Sequence, residues 1–467
     1  MLSAYLRSPD RAATPLAAPV STDLFGTDLR YYAVVDGRAH VSSSVRALAR
    51  LLGRGRVTLN PLAPVEALAF GLTLRDQTLV REVRSIPPHS TLHPDGTVNE
   101  NPGPRATARI ADPAVAVQRL QEVLEQVIAE QEPRFEVHLA GFTGGKDSRI
   151  LAALPKRAPE RWRFRTVSGR DDAEHRGSLF FAARLGLRDH QWTEWTQDFL
   201  DGGVHRVSAD LADGVGAASD FTLLRAAFER AAAQGPAERS ALWLGTLADG
   251  LFAGTALEPP AATIWEALAP RTAHLAHVFA RGPLEQFEEA GGFYRSNPEG
   301  QGSRLLRLAT RGRSYVCKSL ASLDRVCPVQ VNPYLHPALI ELALDLDEGL
   351  LASDALRLGL LRRLGEGLDA PSAFGYRAPA YSGQVLRALA EEVRGPAPLD
   401  GLLAPALLDE LRAGRFPELT PGPAPATGPL YRTHDGEAGP VLRSLRDYEH
   451  LLVYVAMLNL LALDGVI

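Results

Sequence analysis

One stretch of this sequence carries the residue types of a phosphate-binding site. Over residues 134–150 it reads RFEVHLAGFTGGKDSRI, in which residues 135–139 have the composition of a short strand. The polar centre of the stretch, which we call the first loop, consists of Thr143, Gly144, Gly145, Lys146, Asp147 and Ser148. Paired glycines let a backbone approach a ligand closely, and the helix that follows offers free N–H groups to an anion. The hydroxyls, the ammonium and the carboxylate add ligands for phosphate and for Mg²⁺.

The spacing of the first loop separates it from the common nucleotide-binding motifs. A P-loop has four residues between its first glycine and Gly-Lys, whereas Gly141 and Gly145 enclose three, and Asp147 stands where a P-loop has Ser or Thr. The Gly-x-Gly-x-x-Gly motif of dinucleotide folds does not occur there either. One alternative is an ordinary polar turn between a strand and a helix. The pattern Ser/Thr-Gly-Gly-x-Asp-Ser instead resembles that of the ATP pyrophosphatases, which cut ATP between its α- and β-phosphates.

Composition and charge indicate an ordinary globular enzyme. The chain of 467 residues is long enough for two or three domains, and it contains 45% hydrophobic and 22% charged residues. A net charge of −5 gives no electrostatic reason to expect nucleic acid as a partner. The two cysteines, Cys317 and Cys327, are too few for a disulfide framework, and no Cys/His cluster suggests zinc. The sequence shows no signal peptide and no apolar run of membrane-spanning length, so we expect a cytoplasmic protein without a membrane partner.

The segments after the first loop predict a parallel sheet. Three further strands are predicted at residues 161–167, 190–195 and 241–245. The helix after the first of these should bury an apolar face that includes Leu179 and Phe180. Strands that alternate with helices favour a parallel sheet, and such sheets bind ligands beyond the carboxyl ends of their strands. We therefore expect Ser168, at the end of its strand, to lie beside the first loop.

A second loop with an acidic residue follows the last of these strands. Residues 244–254, which we call the second loop, read LGTLADGLFAG. Its Asp249 could bring a second carboxylate to the Mg²⁺ that Asp147 would hold, because both residues follow strands of one sheet. The alternative is that Asp249 only caps a helix.

The first hundred residues predict a small α+β unit. Residues 1–22 are rich in Ala, Pro and Ser and indicate a loose arm. Asp36-Gly37 between two short apolar runs is a strong hairpin signal. Two helical patterns and a further turn follow before about residue 100.

The remainder of the chain is richer in helical patterns. Asp112, followed by Pro113, predicts the N-terminus of a long helix that leads to the first loop. From Trp265 onward helical patterns dominate. Residues 355–364 read as a basic helix with a solvated face.

In their order along the chain, these segments resemble the asparagine synthetase family. Residues 142–148 are similar to its Leu-Ser-Gly-Gly-Leu-Asp-Ser loop, and residues 244–254 to its Ser-Gly-Glu-Gly-Ser-Asp-Glu-Leu-Phe-Gly-Gly segment. Residues 331–335 with the helix after them resemble its Val-Pro-Phe-Leu-Asp segment. Residues 71–92 resemble the end of the family's amino-terminal glutaminase domain. The resemblance covers most of residues 30–467, and the first loop is its most specific part.

The resemblance implies an α/β fold class with two domains. Residues 111–467 would form a parallel-sheet ATP-pyrophosphatase domain, of the adenine nucleotide α-hydrolase-like kind, with a helical C-terminal part. Residues 1–110 would form a small, truncated, Ntn-hydrolase-like α+β domain, degenerate and inactive as a glutaminase. The family's glutaminases need cysteine directly after the initiator methionine, where this sequence has Leu2. Residues 1–110 are also about half the length of a complete domain of this kind, so we expect that glutamine is not a nitrogen donor.

These departures place the sequence nearer to the β-lactam synthetase, carbapenam synthetase and lasso-peptide cyclase type. Such relatives adenylate a substrate carboxylate, release pyrophosphate, and let a substrate amine attack the acyl-adenylate. The resemblance thus implies an ATP-dependent ligase of amide bonds in specialised-metabolite or modified-peptide biosynthesis. Its partners would be a small-molecule or peptide carboxylate and amine, with a homodimer as one possible assembly. Two alternatives stay open: an ammonia-using amidating enzyme similar to asparagine synthetase, and a non-catalytic nucleotide-binding homologue.

The resemblance also assigns roles to single residues. Those implied to bind ATP are Phe142, Thr143, Gly144, Gly145, Lys146, Asp147, Ser148, Val167, Ser168, Leu244 and Gly245. Those implied to hold Mg²⁺ are Asp147 and Asp249. Those implied to act in catalysis are Lys146, Asp249 and Arg377. Arg377 stands near the family's late lysine and can stabilise charge but cannot act as a base. The family's first glutamate in the second loop is Thr246 here, so no general base is carried over.

Overall fold

The computed structural model describes most of the chain, in ranges separated by gaps. The described residues are 6–7, 12–24, 26, 30–70, 73–101, 108–168, 170, 173–194, 206, 240–252, 262–268, 275–296, 329–351, 353–371, 382–414 and 445–467. Within these ranges, no helix is both long enough and apolar enough to cross a membrane.

Short strands dominate the first hundred residues, and helices dominate the end of the chain. The strands are β1 (Leu6–Arg7), β2 (Thr14–Pro15), β3 (Val20–Ser21), β4 (Tyr31–Val35), β5 (Arg38–Ser42), β6 (Arg84–Ser85), β7 (Ser90–Leu92), β8 (Val98–Glu100), β9 (Val137–Gly141), β10 (Trp162–Ser168), β11 (His190–Glu194), β12 (Ser240–Trp243) and β13 (Gln330–Val331). The helices are α1 (Val45–Leu52), α2 (Leu62–Phe70), α3 (Pro113–Gln131), α4 (Lys146–Ala153), α5 (Ala173–Arg184), α6 (Ala248–Phe252), α7 (Ile264–Leu268), α8 (Leu275–Val278), α9 (Arg281–Glu289), α10 (Gly291–Tyr294), α11 (Pro337–Asp345), α12 (Ala355–Leu364), α13 (Ser382–Val393), α14 (Pro405–Arg412) and α15 (Leu445–Leu463).

The largest sheet is mainly parallel. Its strand order is β1-β13-β12-β9-β10-β11, and only the short edge strand β1 runs antiparallel to its neighbour. Strand β9 lies between β12 and β10 and is parallel to both. The predicted α/β class with a parallel sheet is confirmed. Because parallel strands end at the same edge, the segments after β9, β10 and β12 emerge side by side.

Four strands of this sheet, β9 to β12, match the strands that the sequence predicts. Strands β1 and β13 are not predicted, since a strand of two residues is too short to show an alternating pattern. Strand β13 pairs with β12 in parallel, Trp243 opposite Val331. The segment that follows β13 therefore emerges at the same edge of the sheet as the segments after β9, β10 and β12.

One hydrophobic cluster joins the sheet to α3, α4, α5, α6, α11 and α12. Its largest members, Trp162 and Trp243, come from strands on either side of β9 and lie with their ring centroids 4.7 Å apart. Helix α3 begins as predicted, with the Asp112 carboxylate accepting a hydrogen bond from the Ala114 amide at 2.7 Å. This cluster includes residues of β9 and α4 and so fixes the elements on both sides of the first loop.

The buried face of α5 is not the one that the sequence predicts. Leu179 and Phe180 are 47% and 54% exposed, whereas Phe181 and Ala182 are buried. The ring of Phe181 lies 4.0 Å from the Arg149 guanidinium carbon of α4, a cation–π contact. That contact depends on the neighbouring helix, so the apolar pattern of α5 alone could not locate its buried face.

The solvated face predicted for residues 355–364 is confirmed for Arg362 and Arg363, which are exposed, but not for Arg357. Helix α12, which occupies this range, packs against α3 and α4, and it buries Leu356 and Arg357 among others. A Cβ on Gly359 would lie only 2.9 Å from a methyl carbon of Val117 in α3, so the glycine permits close packing of the two helices. Arg357 is buried because acidic side chains surround its guanidinium group, as described below.

The amino-terminal unit contains two antiparallel sheets. Their orders are β2-β5-β4-β6 and β3-β7-β8. The predicted hairpin is β4–β5, and its turn residues Asp36 and Gly37 have φ of 51° and 75°, as a type I′ turn requires. The loose arm predicted for residues 1–22 is wrong where β1, β2 and β3 pair with other strands. The Ntn-hydrolase-like class of this unit stays a prediction.

The amino-terminal unit shares a second hydrophobic cluster with the carboxyl-terminal helices. Buried members include Leu48 of α1, Phe70 of α2, Phe287 of α9, Leu389 of α13 and Leu458 of α15. The division of the chain at residue 110 stays a prediction. The described residues on either side of it are joined through this cluster.

Polar contacts reinforce this cluster. The guanidinium groups of Arg46 and Arg50 both reach Asp464, each with an Nε–Oδ2 distance of 2.6 Å. The Tyr294 hydroxyl donates to the buried Glu66 carboxylate at 2.8 Å. These bonds fix α1 and α2 to elements that lie more than two hundred residues away in the sequence.

Candidate active site

The first loop connects the carboxyl end of β9 to α4, which begins at Lys146. Its hydroxyl side chains hold the loop in shape. The Thr143 amide donates to Ser148 Oγ at 3.3 Å, and the Gly145 amide donates to Thr143 Oγ1 at 3.1 Å. Ser148 Oγ in turn donates to the Gly145 carbonyl at 3.1 Å. Amides of the first turn of a helix have no partner within that helix, so the loop presents donors and the positive end of the α4 dipole to a ligand.

Gly144 allows this loop to lie directly on α5. Its φ is 72°, in the left-handed region that favours glycine. A Cβ at this position would lie 2.7 Å from the carbonyl carbon of Gly177 and 2.9 Å from the Ser178 amide nitrogen. Those atoms are backbone and cannot rotate away. The structure therefore requires glycine at this position of the loop.

Four charged side chains, which we call the four-charge cluster, form a series of ion pairs between the first loop and the start of α12. They are Lys146, Asp147, Asp354 and Arg357. Lys146 Nζ lies 3.0 Å from Asp354 Oδ2, and the other oxygen of Asp354 accepts a hydrogen bond from Arg357 Nη2. Arg357 Nη1 donates to Asp147 Oδ1 at 2.8 Å. The Arg357 side chain is 8% exposed, whereas that of Asp147 is 27% exposed.

The surroundings of the four-charge cluster shift the pKa values of its members. Burial raises the pKa of the Asp147 carboxyl, the Arg357 guanidinium opposes this shift, and the Asp249 carboxylate adds to it. Burial acts to raise the pKa of Asp354 as well, but Arg357 and Lys146 outweigh it and hold that pKa below its usual range. Burial acts to lower the pKa of Arg357, but Asp147 and Asp354 raise it overall. Asp354 and Arg357 are therefore both ionised at neutral pH.

The turn after β13 adds a phenol to the same place. Asn332 accepts the Tyr334 amide at 3.2 Å and donates to the Thr246 carbonyl of the second loop at 2.8 Å. The Tyr334 hydroxyl is buried, and it has no hydrogen-bond partner among the described residues. Burial raises its pKa, Asp147 adds to the rise and Arg357 opposes it. The phenol thus lies within the electric field of the four-charge cluster.

The second loop leaves β12 and approaches the first loop closely. A Cβ on Gly245 would lie 3.3 Å from the Asp147 Cβ. Leu247 is buried and has a φ of 77°, a conformation that a bulky residue adopts only under constraint from its surroundings. Asp249 is exposed in the first turn of α6, where its Oδ1 accepts a hydrogen bond from the Gly250 amide at 2.8 Å.

Asp147 and Asp249 offer carboxylate oxygens that suit Mg²⁺. Proteins usually hold this ion through one or two carboxylates together with water and substrate phosphates. Asp249 belongs to the loop that approaches Asp147, since a Cβ on Gly245 of that loop would lie 3.3 Å from the Asp147 Cβ. In the described part of the chain, no group of three or more His, Cys, Asp or Glu side chains is arranged to hold a metal. These two residues fit Mg²⁺ if phosphate oxygens complete the site.

The end of β10 forms another part of this edge of the sheet. Val167 and Ser168 are buried, and Ser168 Oγ accepts a hydrogen bond from the Trp192 indole at 3.0 Å. The Trp192 ring stacks on His175, with ring centroids 4.0 Å apart. The side chain of Phe142, ahead of the first loop, is fully buried, so a ligand at the loop can reach only its backbone.

The structure brings most of the sequence-predicted site residues to one edge of the sheet. These are the first-loop residues, Val167, Ser168, Leu244, Gly245 and Asp249. Their roles toward ATP and Mg²⁺ stay predictions, and Arg377 lies outside the described residues. Sequence reasoning misses Asp354, Arg357 and Tyr334. Asp354 and Arg357 do have the i, i+3 spacing of a helical ion pair, but a solvated helix shows the same pattern.

Comparisons with known proteins add little to this geometry. No family model matches the sequence, and no curated protein matches it. Among solved structures, the chain is similar to an NH3-dependent NAD synthetase from Campylobacter jejuni subsp. jejuni NCTC 11168 in complex with the nitrate ion. The identity is 16%, the alignment covers 53% of this chain and 96% of that chain, and the TM-score is 0.22. A similarity this distant assigns no function, which must be inferred from the residues themselves.

Proposed function

We propose that this protein is an ATP-dependent ligase that forms AMP and pyrophosphate while it joins a carboxylate to an amine. The observation that carries the proposal is the approach of the second loop to Asp147 at the helix N-terminus of the first loop. Helix amides and Lys146 suit phosphate oxygens, and paired carboxylates suit Mg²⁺. The residue order of the first loop, which resembles loops that cut ATP at the α-phosphate, favours AMP over ADP as the product.

The chemistry of amide formation explains why such a site would use ATP. A carboxylate is a poor electrophile at neutral pH. Attack of a carboxylate oxygen on the α-phosphorus would break the bond to the oxygen that bridges to the β-phosphorus, and pyrophosphate would leave. The amine would then attack the acyl carbon, AMP would leave with the electrons of the acyl C–O bond, and the nitrogen would release one proton to solvent.

In this scheme the residues of the chain bind and orient the triphosphate. The amides of the first turn of α4 and the Lys146 ammonium would hold the oxygens of the departing pyrophosphate, in fixed positions that need no rearrangement during the reaction. Asp147 and Asp249 would hold Mg²⁺, and the bound ion would neutralise charge on the phosphates. Further contacts to ATP are proposed for Val167, Ser168, Leu244 and Gly245.

The nature of the substrates is a finer part of the proposal. We infer that the substrates are a small-molecule or peptide carboxylate and an amine, in the biosynthesis of a specialised metabolite or a modified peptide. The support is the resemblance of both loops to the asparagine synthetase family, together with Thr246 where that family has glutamate. Arg377 is proposed to stabilise charge in the second step.

Product chromatography tests the proposed reaction. The protein is incubated with ATP, Mg²⁺ and pools of carboxylic acids, each with and without amines. We expect AMP and pyrophosphate to appear in equal amounts with an accepted acid, and Lys146→Ala to slow their formation. ADP and phosphate as the products would contradict the proposal.

A nucleotide-binding protein without catalysis is the second candidate. Thr246 and the pairing of Asp147 with Arg357 favour it, because both reduce the free negative charge available to a metal at this edge of the sheet. The same assay separates the two candidates. A non-catalytic protein would bind ATP and return it unchanged with every acid.

A further inference from the structure

Asp354 lies between two cations of the candidate site. One of its carboxylate oxygens is 3.0 Å from Lys146 Nζ, and the other accepts a hydrogen bond from Arg357 Nη2. Lys146 is the lysine of the first loop, so one cation expected to bind phosphate is already paired with an anion. Arg357 comes from α12, more than two hundred residues later in the sequence.

Asp354 receives contacts that a phosphate group could also receive. Two oxygens on one anionic centre each receive a charge-assisted hydrogen bond from a different cation, an arrangement that also recurs when Lys and Arg bind phosphate. The Lys146 and Asp354 side chains are 27% and 35% exposed, so an anion from solvent can reach them. Arg357 is nearly buried, and its Nη1 bond to Asp147 at 2.8 Å holds the guanidinium beside the first loop.

We propose that Arg357 is a second phosphate-binding residue and that Asp354 is a built-in competitor, which occupies Lys146 and Arg357 until a polyphosphate displaces it. This inference rests on the proposed function of the first loop as a triphosphate site. The displacement exchanges one set of charge-assisted bonds for another. Asp354, at the partly exposed start of α12, returns to water when it leaves the two cations.

The ionisation of Asp354 agrees with this role. Its two cationic neighbours outweigh the effect of burial and hold its pKa below the usual range, so it is an anion wherever a polyphosphate would bind. Asp147, the other carboxyl bonded to Arg357, is not displaced in this account. It keeps the guanidinium in place while Asp354 leaves.

Binding of inorganic pyrophosphate tests the proposal without a metal and without turnover. Titration calorimetry in EDTA at low ionic strength compares the wild type with Asp354→Asn. The variant keeps the shape of the side chain but removes a negative charge within a few ångströms of the bound anion. We expect its affinity for pyrophosphate to rise on the order of tenfold, and the gain to shrink at high salt. An unchanged or weaker affinity would overturn the role of Asp354.

Two further variants complete the experiment. Asp369→Asn is the matched control, because Asp369 pairs with Arg362 of the same helix at 2.6 Å and is not part of the four-charge cluster. We expect no change in its affinity. Arg357→Gln should weaken binding by roughly tenfold, and an unchanged affinity in a folded variant would overturn the role of Arg357. If Arg357→Gln does not fold, Arg357→Lys replaces it and should weaken binding less, since it keeps the charge but loses the second donor.

Failure of this inference and failure of the proposed function give different results. If the protein forms AMP and pyrophosphate but Asp354→Asn binds pyrophosphate no more tightly, only the inference is wrong. If Asp354→Asn binds more tightly but the products are ADP and phosphate, the phosphate site stands and the proposed reaction is wrong. If neither the wild type nor Asp354→Asn binds pyrophosphate, the inference is wrong, while the products formed from ATP in the presence of Mg²⁺ still decide the proposed function.

Discussion

At the scale of single residues, Gly144 shows how the backbone shapes the site. It meets two requirements that only glycine satisfies together, a positive φ of 72° and a separation too small for a Cβ from the backbone of α5. Gly186, which follows the end of α5, also has a positive φ, of 61°, but a Cβ there would meet nothing within 4 Å. A substitution of Gly186 would therefore introduce backbone strain alone, whereas a substitution of Gly144 would introduce both backbone strain and a steric clash.

This comparison gives the first prediction. Gly186→Ala should lower the free energy of unfolding by about 1 kcal/mol, the usual cost of a left-handed alanine. Gly144→Ala should cost more and should also weaken ATP binding, because the first loop must move away from α5. Urea denaturation and calorimetry with ATP measure both effects. Equal stability and equal ATP affinity of the two variants would show that the contact with Gly177 does not position the loop.

The sequence predicts the residue types of the first loop but not their ion-pair partners. Gly144, Lys146 and Asp147 are recognisable because they are consecutive and chemically distinctive. Asp354 and Arg357 meet them only through the packing of α12 against α4, and no local pattern encodes that packing. Leu247 is unpredictable for a related reason, since its positive φ is imposed by the surroundings of a buried loop.

At the scale of secondary-structure elements, the central strand β9 carries a buried histidine. His138 is fully buried, and its Nδ1 accepts a hydrogen bond from the Trp243 indole at 3.1 Å. Its ring stacks on Trp162, with ring centroids 4.7 Å apart, and its Nε2 has no partner among the described residues. Burial lowers the pKa of His138 to about 4, although Glu132 opposes the shift. The sheet therefore holds this imidazole in its neutral form.

The second prediction follows from the sign of that shift. At pH values between the ordinary pKa of histidine, about 6.5, and the lower pKa of His138 in the folded chain, His138 is protonated to a greater extent in the unfolded chain than in the folded chain. The contribution of neutral His138 to the free energy of unfolding is therefore fully present above about pH 6.5. It decreases by about 3 kcal/mol as the pH falls to about 4.

Urea titrations of the wild type and His138→Gln at several pH values measure this effect. Their difference isolates His138 from other groups that titrate in the same range. The wild type should lose more stability than the variant between pH 6.5 and 4. A parallel loss in both proteins would show that His138 does not titrate with folding.

Pattern and length explain which elements the sequence predicts. Strands β9 to β12 have four to seven residues and turn residues at their ends, so their composition identifies them. Strand β13 has two residues and is recognised only by its pairing with β12. The sequence of helix α12 gives a wrong expectation for Arg357 for a different reason. An arginine-rich helix is normally solvated, as Arg362 and Arg363 are, whereas Arg357 is buried because the carboxylates of Asp147 and Asp354 neutralise it.

At the scale of the whole molecule, the amino-terminal unit is fastened to the carboxyl-terminal end of the chain. Asp464 accepts hydrogen bonds from both Arg46 and Arg50 of α1. Burial opposes ionisation of Asp464, but the two arginines lower its pKa to about 2. The contact joins α1, the first helix among the described residues, to the residue that follows α15.

The third prediction concerns this contact. The depressed pKa of Asp464 contributes stability that is present above the unfolded value, near pH 4, and is lost as the pH falls through about 2. Asp464→Asn should therefore destabilise the protein by about 2 kcal/mol at pH 7, and the difference from the wild type should shrink below pH 4. Denaturation by urea at pH 7 and pH 3 tests both statements.

Asp400→Asn provides the control for that experiment. Asp400 is highly exposed and pairs with Arg412 at 3.4 Å, so its loss should change stability by no more than about 0.5 kcal/mol. If Asp464→Asn is as mild as this control, the contact between α1 and the end of α15 does not stabilise the molecule.

The sequence could not predict how the parts of the molecule pack together. Hairpin β4–β5 and helices α1 and α2 follow local signals, and the sequence predicts them as one unit. The cluster that joins this unit to α9, α13 and α15 consists of residues hundreds of positions apart. Their apolar character shows that they are buried but not which surface covers them.

In the proposed function, ATP with Mg²⁺ binds at the first loop, with Asp147 as a ligand of the metal. Calorimetric titration of ATP with and without Mg²⁺, for the wild type and Asp147→Asn, tests it most directly and needs no knowledge of the other substrates. Asp112→Asn serves as the control, because Asp112 caps α3 and asparagine caps helices equally well.

We expect Mg²⁺ to strengthen ATP binding by the wild type and the control by about tenfold or more, and to have little effect on Asp147→Asn, which lacks a charged ligand for the metal. If Asp147→Asn gains as much ATP affinity from Mg²⁺ as the wild type, or if the wild type binds no ATP, the account of this site is wrong.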